Sequence, residues 1–229
     1  ITEENYKDHM DVDAAIKHMV FQSRAITATL EALPKNKSLI GFVGGPWTLL
    51  NYATGKQKTS TKFKVEYLHK VLVPLLNRNI HLQLAAGAEK VMILDSGVGN
   101  MSEKFFKDHY KELLQPMVGE HVGYYTQHLN TKCMPSLLKM GWKGIGVDST
   151  VDISKTMNKY KDGFVQGNFD EQLLLLPYLE CKEQIRLFLS KMDTVDRTGW
   201  VCGLGHGINK LTPEAHVELF VDMVRSHYS

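Results

Sequence analysis

The chain has 229 residues, with 27 basic side chains against 25 acidic ones, and hydrophobic residues make up 43% of it. That content suits a sizeable core within one domain spanning 1–229. The net charge of +2 gives no basis for bulk nucleic-acid binding. No apolar run reaches the roughly 18 residues of a membrane-spanning helix, and no secretory signal is visible. Three widely spaced cysteines, Cys133, Cys181 and Cys202, fit a reduced, cytoplasmic compartment. A start at Ile1 points to processing, trimming or a start lying ahead of it.

In chain order, 12–33 carries Ala15, Ile16, Met19, Val20, Ile26 and Leu30 close to a 3.6-residue period, which predicts a helix. An apolar strand over 39–43 breaks at Gly44 and Gly45, and a helix follows with Pro46 in its first turn. Helix N-termini placed after strands attract anions, so this segment predicts a polar or acidic ligand. The stretch 55–64, GKQKTSTKFK, reads as a solvated basic turn or as a flap over an acidic ligand. Helical patterns over 65–86, 103–118, 135–140, 153–160, 181–192 and 213–227 alternate with apolar runs over 90–94, 122–126, 144–147, 163–166 and 200–204. The last helix has a start signal: Thr212 as N-cap, then Pro213 and Glu214.

Continuous apolar strands between helices predict a parallel sheet covered on both faces. An open doubly wound sheet and a (β/α)8 barrel both satisfy the pattern, and both place ligands at the carboxyl ends of the strands. Gly44 and Gly45, Asp95 and Ser96, Gln127 and His128, Asp148 and Ser149, Gly167 and Asn168, and Gly205 and His206 all lie just past strand ends. No fixed-period repeat or low-complexity segment interrupts the chain.

Five motifs occur in the order found in the uroporphyrinogen decarboxylase family. GFVGGPWTLLNY resembles G-F-x-G-x-P-W-T-L-x-x-Y, and VMILDSGVGNMS resembles a strand ending in an acidic residue and serine. GIGVDSTVDI resembles G-x-D-W-T, FVQGNFD resembles L-Q-G-N-L-D-P, and GLGHGINKLTPE resembles N-L-G-H-G-I-x-P-x-T-P. The resemblance covers the C-terminal two-thirds of the family pattern. Ser149 stands at the usual tryptophan, Glu171 and Lys210 at common prolines, and Leu94 at a frequent substrate-facing phenylalanine. The family's arginine-rich R-Q-A-G-R-Y-type segment and the early strand with its central catalytic aspartate have no counterpart; both would precede Ile1.

The resemblance implies an α/β fold of (β/α)8 TIM-barrel type, incomplete, with about six parallel strands and helices on both faces. It implies removal of the four acetate carboxyl groups of uroporphyrinogen to give coproporphyrinogen, in haem biosynthesis, with no metal or organic cofactor. A pyrrole protonated on carbon serves as the electron sink that a cofactor otherwise supplies. By the same resemblance Tyr52 and His206 are the catalytic candidates, and Phe42, Ser96, Tyr52 and His206 contact the tetrapyrrole substrate. Asp95 and Asp148 are the strand-end carboxylates; either is able to stabilise a cation, neither matches the family's catalytic aspartate, and Asp148 reads as structural. A homodimer is the implied assembly, with no nucleic acid and no membrane. The alternatives are a degenerate homologue or fragment that keeps the fold, a corrinoid-dependent methyltransferase, for which no His-x-Cys zinc pair exists, and an α/β domain for another carboxylate ligand.

Overall fold

The computed structural model describes residues 1–55, 57–129 and 131–228. They fall into two compact units, Ile1–Lys143 and Gly144–Ser229. The first opens with a 3-10 turn at Tyr6–His9, then α1 (Val12–His18) and α2 (Val20–Ala32). Asp11 caps α1, its carboxylate accepting from the Ala14 N–H at 2.8 Å. Where the sequence predicts one helix over 12–33, the chain breaks at Met19, whose N–H closes a tight turn onto the Ile16 carbonyl at 3.0 Å.

Strand β1 (Ile40–Gly44) leads into α3 (Pro46–Ala53), α4 (Thr61–Tyr67) and α5 (Val73–Ala85). The predicted basic turn ends in a cap, the Ser60 hydroxyl accepting from the Phe63 N–H at 3.2 Å; Lys56 within it lies outside the described residues. A π turn, Leu68–Leu72, joins α4 to α5. Pro74 accounts for it, because a proline lacks the N–H and its ring presses on the carbonyl four residues back, and a wider turn relieves both. Then come β2 (Lys90–Asp95), α6 (Glu103–Phe105), a second π turn at Phe106–Tyr110, α7 (Lys111–Leu114), β3 (Val122–Thr126) and α8 (Met134–Leu138).

Strands β1, β2 and β3 run parallel, with Phe42 beside Met92 and Met92 beside Gly123. Side chains alternate between faces. One face carries Val43, Val91, Ile93, Asp95, Val122, Tyr124 and Thr126, all buried. Gly41 shares it, and a Cβ there would strike the Gln83 side chain of α5, whose amide donates to the Phe42 carbonyl at 2.9 Å. The opposite face carries Ile40, Phe42 and Leu94, which are exposed. Cover on both faces is the expectation from apolar strands; at these three positions the first unit is open on one side.

The second unit alternates β4 (Gly144–Val147), α9 (Ile153–Lys159), β5 (Phe164–Gln166), α10 (Tyr178–Met192), β6 (Trp200–Val201) and α11 (Glu214–His227). β4 pairs with β5 and β5 with β6, again in parallel. β6 is shorter than the predicted 200–204: ladder pairing stops at Gly167, whose φ of +127° leaves extended geometry, and returns only as a bridge between Phe169 and Leu204. Thr212 does not cap α11. Pro213 holds the cap position, and the Thr212 hydroxyl is buried without a partner. Among the described residues six parallel strands alternate with helices, three in each unit, an α/β chain of the (β/α)8 type. The three cysteines are free thiols, and burial pushes Cys202 up to about 12.

Phe169, Leu174, Cys181, Ile185, Leu189 and Phe220 form the core of the second unit. Ile185 has no exposed surface. Ile185→Ala should cost about 2–5 kcal/mol, through lost burial and the cavity left behind; chemical denaturation read by circular dichroism checks it.

Candidate active site

The geometry of the first unit's site starts at Asp95. Alternation along β2 turns this carboxylate onto the buried face, with 0% exposure. Four groups donate to it. The Thr48 N–H reaches Oδ1 at 2.9 Å and the Thr48 hydroxyl reaches the same oxygen at 2.8 Å. The Tyr110 hydroxyl donates to Oδ2, and the Tyr124 hydroxyl donates to the same oxygen at 2.6 Å. Burial pushes the Asp95 carboxyl above its ordinary value, while the hydrogen bonds from Tyr110, Tyr124 and Thr48 oppose that rise. The two phenols are pushed well above theirs, first by burial and then by the carboxylate beside them.

This arrangement revises the expectation of a ligand anion at the start of α3. Pro46 has no N–H to offer, the Trp47 N–H donates to the Tyr110 hydroxyl at 3.0 Å, and the Thr48 N–H is taken by Asp95. The helix N-terminus does attract a carboxylate, but the carboxylate is the chain's own. Gly45 follows from the same contact, since a Cβ at this position would collide with the Asp95 side chain. Asp95 is therefore closed to a ligand and does not act as an accessible cation stabiliser.

The Thr48 hydroxyl also accepts from the Gly97 N–H at 2.8 Å. Gly97 lies in the 3-10 turn Ser96–Asn100, and a Cβ on it would sit 3.1 Å from the Asn51 amide nitrogen. The turn that starts with Ser96 thus packs on the helix that carries Tyr52. Ser96 is half-buried. Tyr52, in the last turn of α3, is 71% exposed, and Phe42, on the open face of β1, is 66% exposed. Neither aromatic is a core residue.

In the second unit His206 follows β6 and is exposed. Its loop is pinned beside it: the Gly205 N–H donates to the Phe169 carbonyl at 2.7 Å, and a Cβ on Gly205 would lie 2.6 Å from the Ser149 nitrogen. Asp148 is buried and accepts from the Thr150 N–H at 2.9 Å, which is the structural role read for it. Asn168 donates to the carbonyls of Asp148 at 2.6 Å and Val151 at 2.7 Å. Phe42, Tyr52 and Ser96 belong to the first unit and His206 to the second; Ser96 and His206 follow the carboxyl ends of β2 and β6, while Phe42 lies mid-strand in β1 and Tyr52 in the last turn of α3. Thr48, Tyr110 and Tyr124 are the residues that sequence reasoning passed over. The available signal was Asp95 itself, since an acidic residue closing an apolar strand demands donors. Among the described residues no group of three or more His, Cys, Asp and Glu side chains is placed to hold a metal. No helix among them is long and apolar enough to cross a membrane.

A (β/α)8-type chain with polar residues just past its strand ends has the build of a small-molecule enzyme. The family model for uroporphyrinogen decarboxylase (URO-D) matches residues 1–227, and the chain belongs to that family. It is 30% identical over 221 residues to the uroporphyrinogen decarboxylase of Proteus mirabilis (strain HI4320), covering 87% of this chain and 61% of that protein. It is 28% identical over 235 residues to that of Orientia tsutsugamushi (strain Ikeda), covering 90% and 65%. The chain therefore spans under two-thirds of the length of these relatives. Among solved structures it is similar to a methyltransferase from Methanosarcina mazei, with a TM-score of 0.70 and 18% identity over 91% of this chain and 64% of that one. It is also similar to a B12-independent methionine synthase from Shewanella sp. W3-18-1, with a TM-score of 0.62 and 12% identity over 89% and 66%. At these identities the likeness speaks for the fold alone.

A carboxyl whose folded value is raised contributes stability that is complete in acid and is lost as pH rises through that folded value. Asp95→Asn removes this titration. The stability of the parent minus that of Asp95→Asn should therefore fall as pH rises from the ordinary value of 3.8. Urea denaturation of both proteins across pH measures it, and a flat difference would count against a buried, upshifted carboxyl.

Proposed function

We propose that the protein of which this chain is part decarboxylates the acetate side chains of uroporphyrinogen to give coproporphyrinogen, without a metal or organic cofactor. The observation that carries the reading is the pair of solvent-facing aromatic side chains, Phe42 and Tyr52, on the open side of β1 and at the end of α3, in a chain of this family. A pyrrole is a flat, electron-rich ring with an apolar face. The open face of Ile40, Phe42 and Leu94 suits such a surface, and the hydroxyls of Tyr52 and Ser96 suit its polar edge.

Each turn of the reaction adds a proton to a pyrrole carbon, which makes the ring an iminium-like electron sink. The bond from the acetate methylene to its carboxylate then breaks, and carbon dioxide leaves. The electron pair moves into the ring, a proton is added at the methylene to give methyl, and the ring carbon gives its proton back. In this reading Tyr52 and His206 orient the substrate and assist proton movement, Ser96 hydrogen-bonds the substrate, and Phe42 forms the wall against the ring. The chemistry also asks for a carboxylate near the pyrrole N–H groups. Asp95 and Asp148 are buried and occupied by the chain's own donors, so the proposal does not assign them that work. A homodimer is part of the same proposal.

The test is made on the product of the complete gene, under anaerobic conditions with uroporphyrinogen III, counting carboxyl groups in the products by chromatography. Stepwise loss of four carboxyl groups supports the reading, and unchanged uroporphyrinogen overturns it. Tyr52→Phe and His206→Asn should each lower kcat by about 10²-fold or more, the size of a lost acid–base or orienting group, while leaving the unfolding midpoint close to that of the parent.

A further inference from the structure

We propose that Thr48 is a positioning residue, oriented by Asp95, that sets Tyr52 and Ser96 together. A hydroxyl donates once and accepts at the same time. The Thr48 hydroxyl uses both capacities, donating to Asp95 at 2.8 Å and accepting from the Gly97 N–H at 2.8 Å. Its own N–H is fixed on the same carboxylate at 2.9 Å. Tyr52 lies four residues further on, one helical turn along α3. Ser96 immediately precedes Gly97 and opens its 3-10 turn. One side chain therefore fixes the helix that presents the tyrosine and the turn that presents the serine. No other hydrogen bond described for the first unit links α3 directly to that turn.

The carboxylate makes this arrangement directional. Asp95 is acceptor-only when ionised, so it requires the Thr48 hydroxyl to point its hydrogen inward. The lone pairs then face the Gly97 amide. Tyr110 and Tyr124 hold the other carboxylate oxygen, which keeps Oδ1 directed at Thr48. Valine at position 48 keeps the shape and loses both capacities, whereas serine keeps both and loses only a methyl group. The comparison of those two variants isolates the hydroxyl from the packing.

For its effect on turnover the inference rests on the decarboxylase reading; for its geometry it does not. The experiment uses the complete gene product as parent, Thr48→Val and Thr48→Ser, with hydrogen exchange followed by mass spectrometry and kinetics with uroporphyrinogen III. In Thr48→Val, exchange over 46–53 and 96–100 should accelerate about tenfold or more while peptides from β2 and β3 stay as in the parent; Thr48→Ser should remain near the parent throughout. Turnover should follow, with kcat falling about tenfold to a hundredfold in Thr48→Val at little changed KM, the signature of misplaced reacting groups, and recovering in Thr48→Ser. Unaltered protection of both segments in Thr48→Val overturns the inference, and so does loss of protection spread evenly over the unit. Should Thr48→Val not fold, Thr48→Ala is read by the same criteria. A parent that leaves uroporphyrinogen untouched overturns the decarboxylase reading, and the exchange comparison still decides the role of Thr48.

Discussion

A carboxylate with no exposed surface, at the end of β2, is the constraint on which the first unit's carboxyl side depends. An ion carried out of water costs several kcal/mol unless its oxygens are well supplied with donors. Asp95 receives four. They come from the first turn of α3, from the end of the second π turn and from the middle of β3, so a single side chain collects the segments that follow β1 and β2 together with β3 itself. The neighbouring sequence answers the same demand. Gly45 has no room for a side chain, position 48 supplies a hydroxyl, and the inward positions 110 and 124 carry phenols in place of hydrocarbons. Replacing any one donor leaves a buried acceptor under-satisfied, which is more expensive than the hydrogen bond is worth in isolation.

The same contact occupies the start of the helix. The N-terminus of α3 spends its amides on Tyr110 and Asp95. What stays exposed is Tyr52 at the far end of the helix, with Ile40, Phe42 and Leu94 on β1 and β2. The second unit is built on a comparable logic with backbone in place of phenols. Asp148 holds its own loop through Thr150, Asn168 ties two carbonyls, and Gly205 closes onto Phe169. In both units a buried carboxylate at or past a strand end is occupied in holding loops, and beside them stand the half-buried Ser96, next to Asp95, and the exposed His206, next to Gly205.

The strands were legible because apolar runs bounded by glycine and polar residues have few other readings; 122–126 and 144–147 match β3 and β4 residue for residue. Helix interiors were legible from their period. The breaks at Met19 and at the two π turns were not, since the apolar stripe runs through them and only local hydrogen bonding changes. Thr212 misled for a related reason: the cap signature was present, but Pro213 took the cap position. At the site, Tyr52 and Phe42 drew attention through motif resemblance, and their exposure gives that attention physical content. Asp95 was visible as a strand-end acid but ambiguous, because burial depends on Tyr110 and Tyr124, which lie 15 and 29 residues away in the chain. Contacts at that separation leave no periodic trace in one sequence.

The exposed side chains Ile40, Phe42 and Leu94 set the remaining energetic question. Burying a large apolar side chain is worth about 1.5–3 kcal/mol, and Ile40, Phe42 and Leu94 forgo much of that in water. That gain is left unrealised in the described chain. Under the decarboxylase reading part of it is recovered when the apolar face of a pyrrole covers Phe42, which also excludes water from the ring that must carry positive charge. Desolvation then strengthens any anion placed near that ring, while the reacting carboxylate loses the water that stabilises it against leaving as carbon dioxide. Leu94, where the family often has phenylalanine, keeps this surface apolar but gives up ring stacking. The expected consequence is a looser hold on the macrocycle face and a heavier reliance on the hydroxyls at its edge, and the linked placement of Tyr52 and Ser96 through Thr48 supplies the rigidity that such reliance requires.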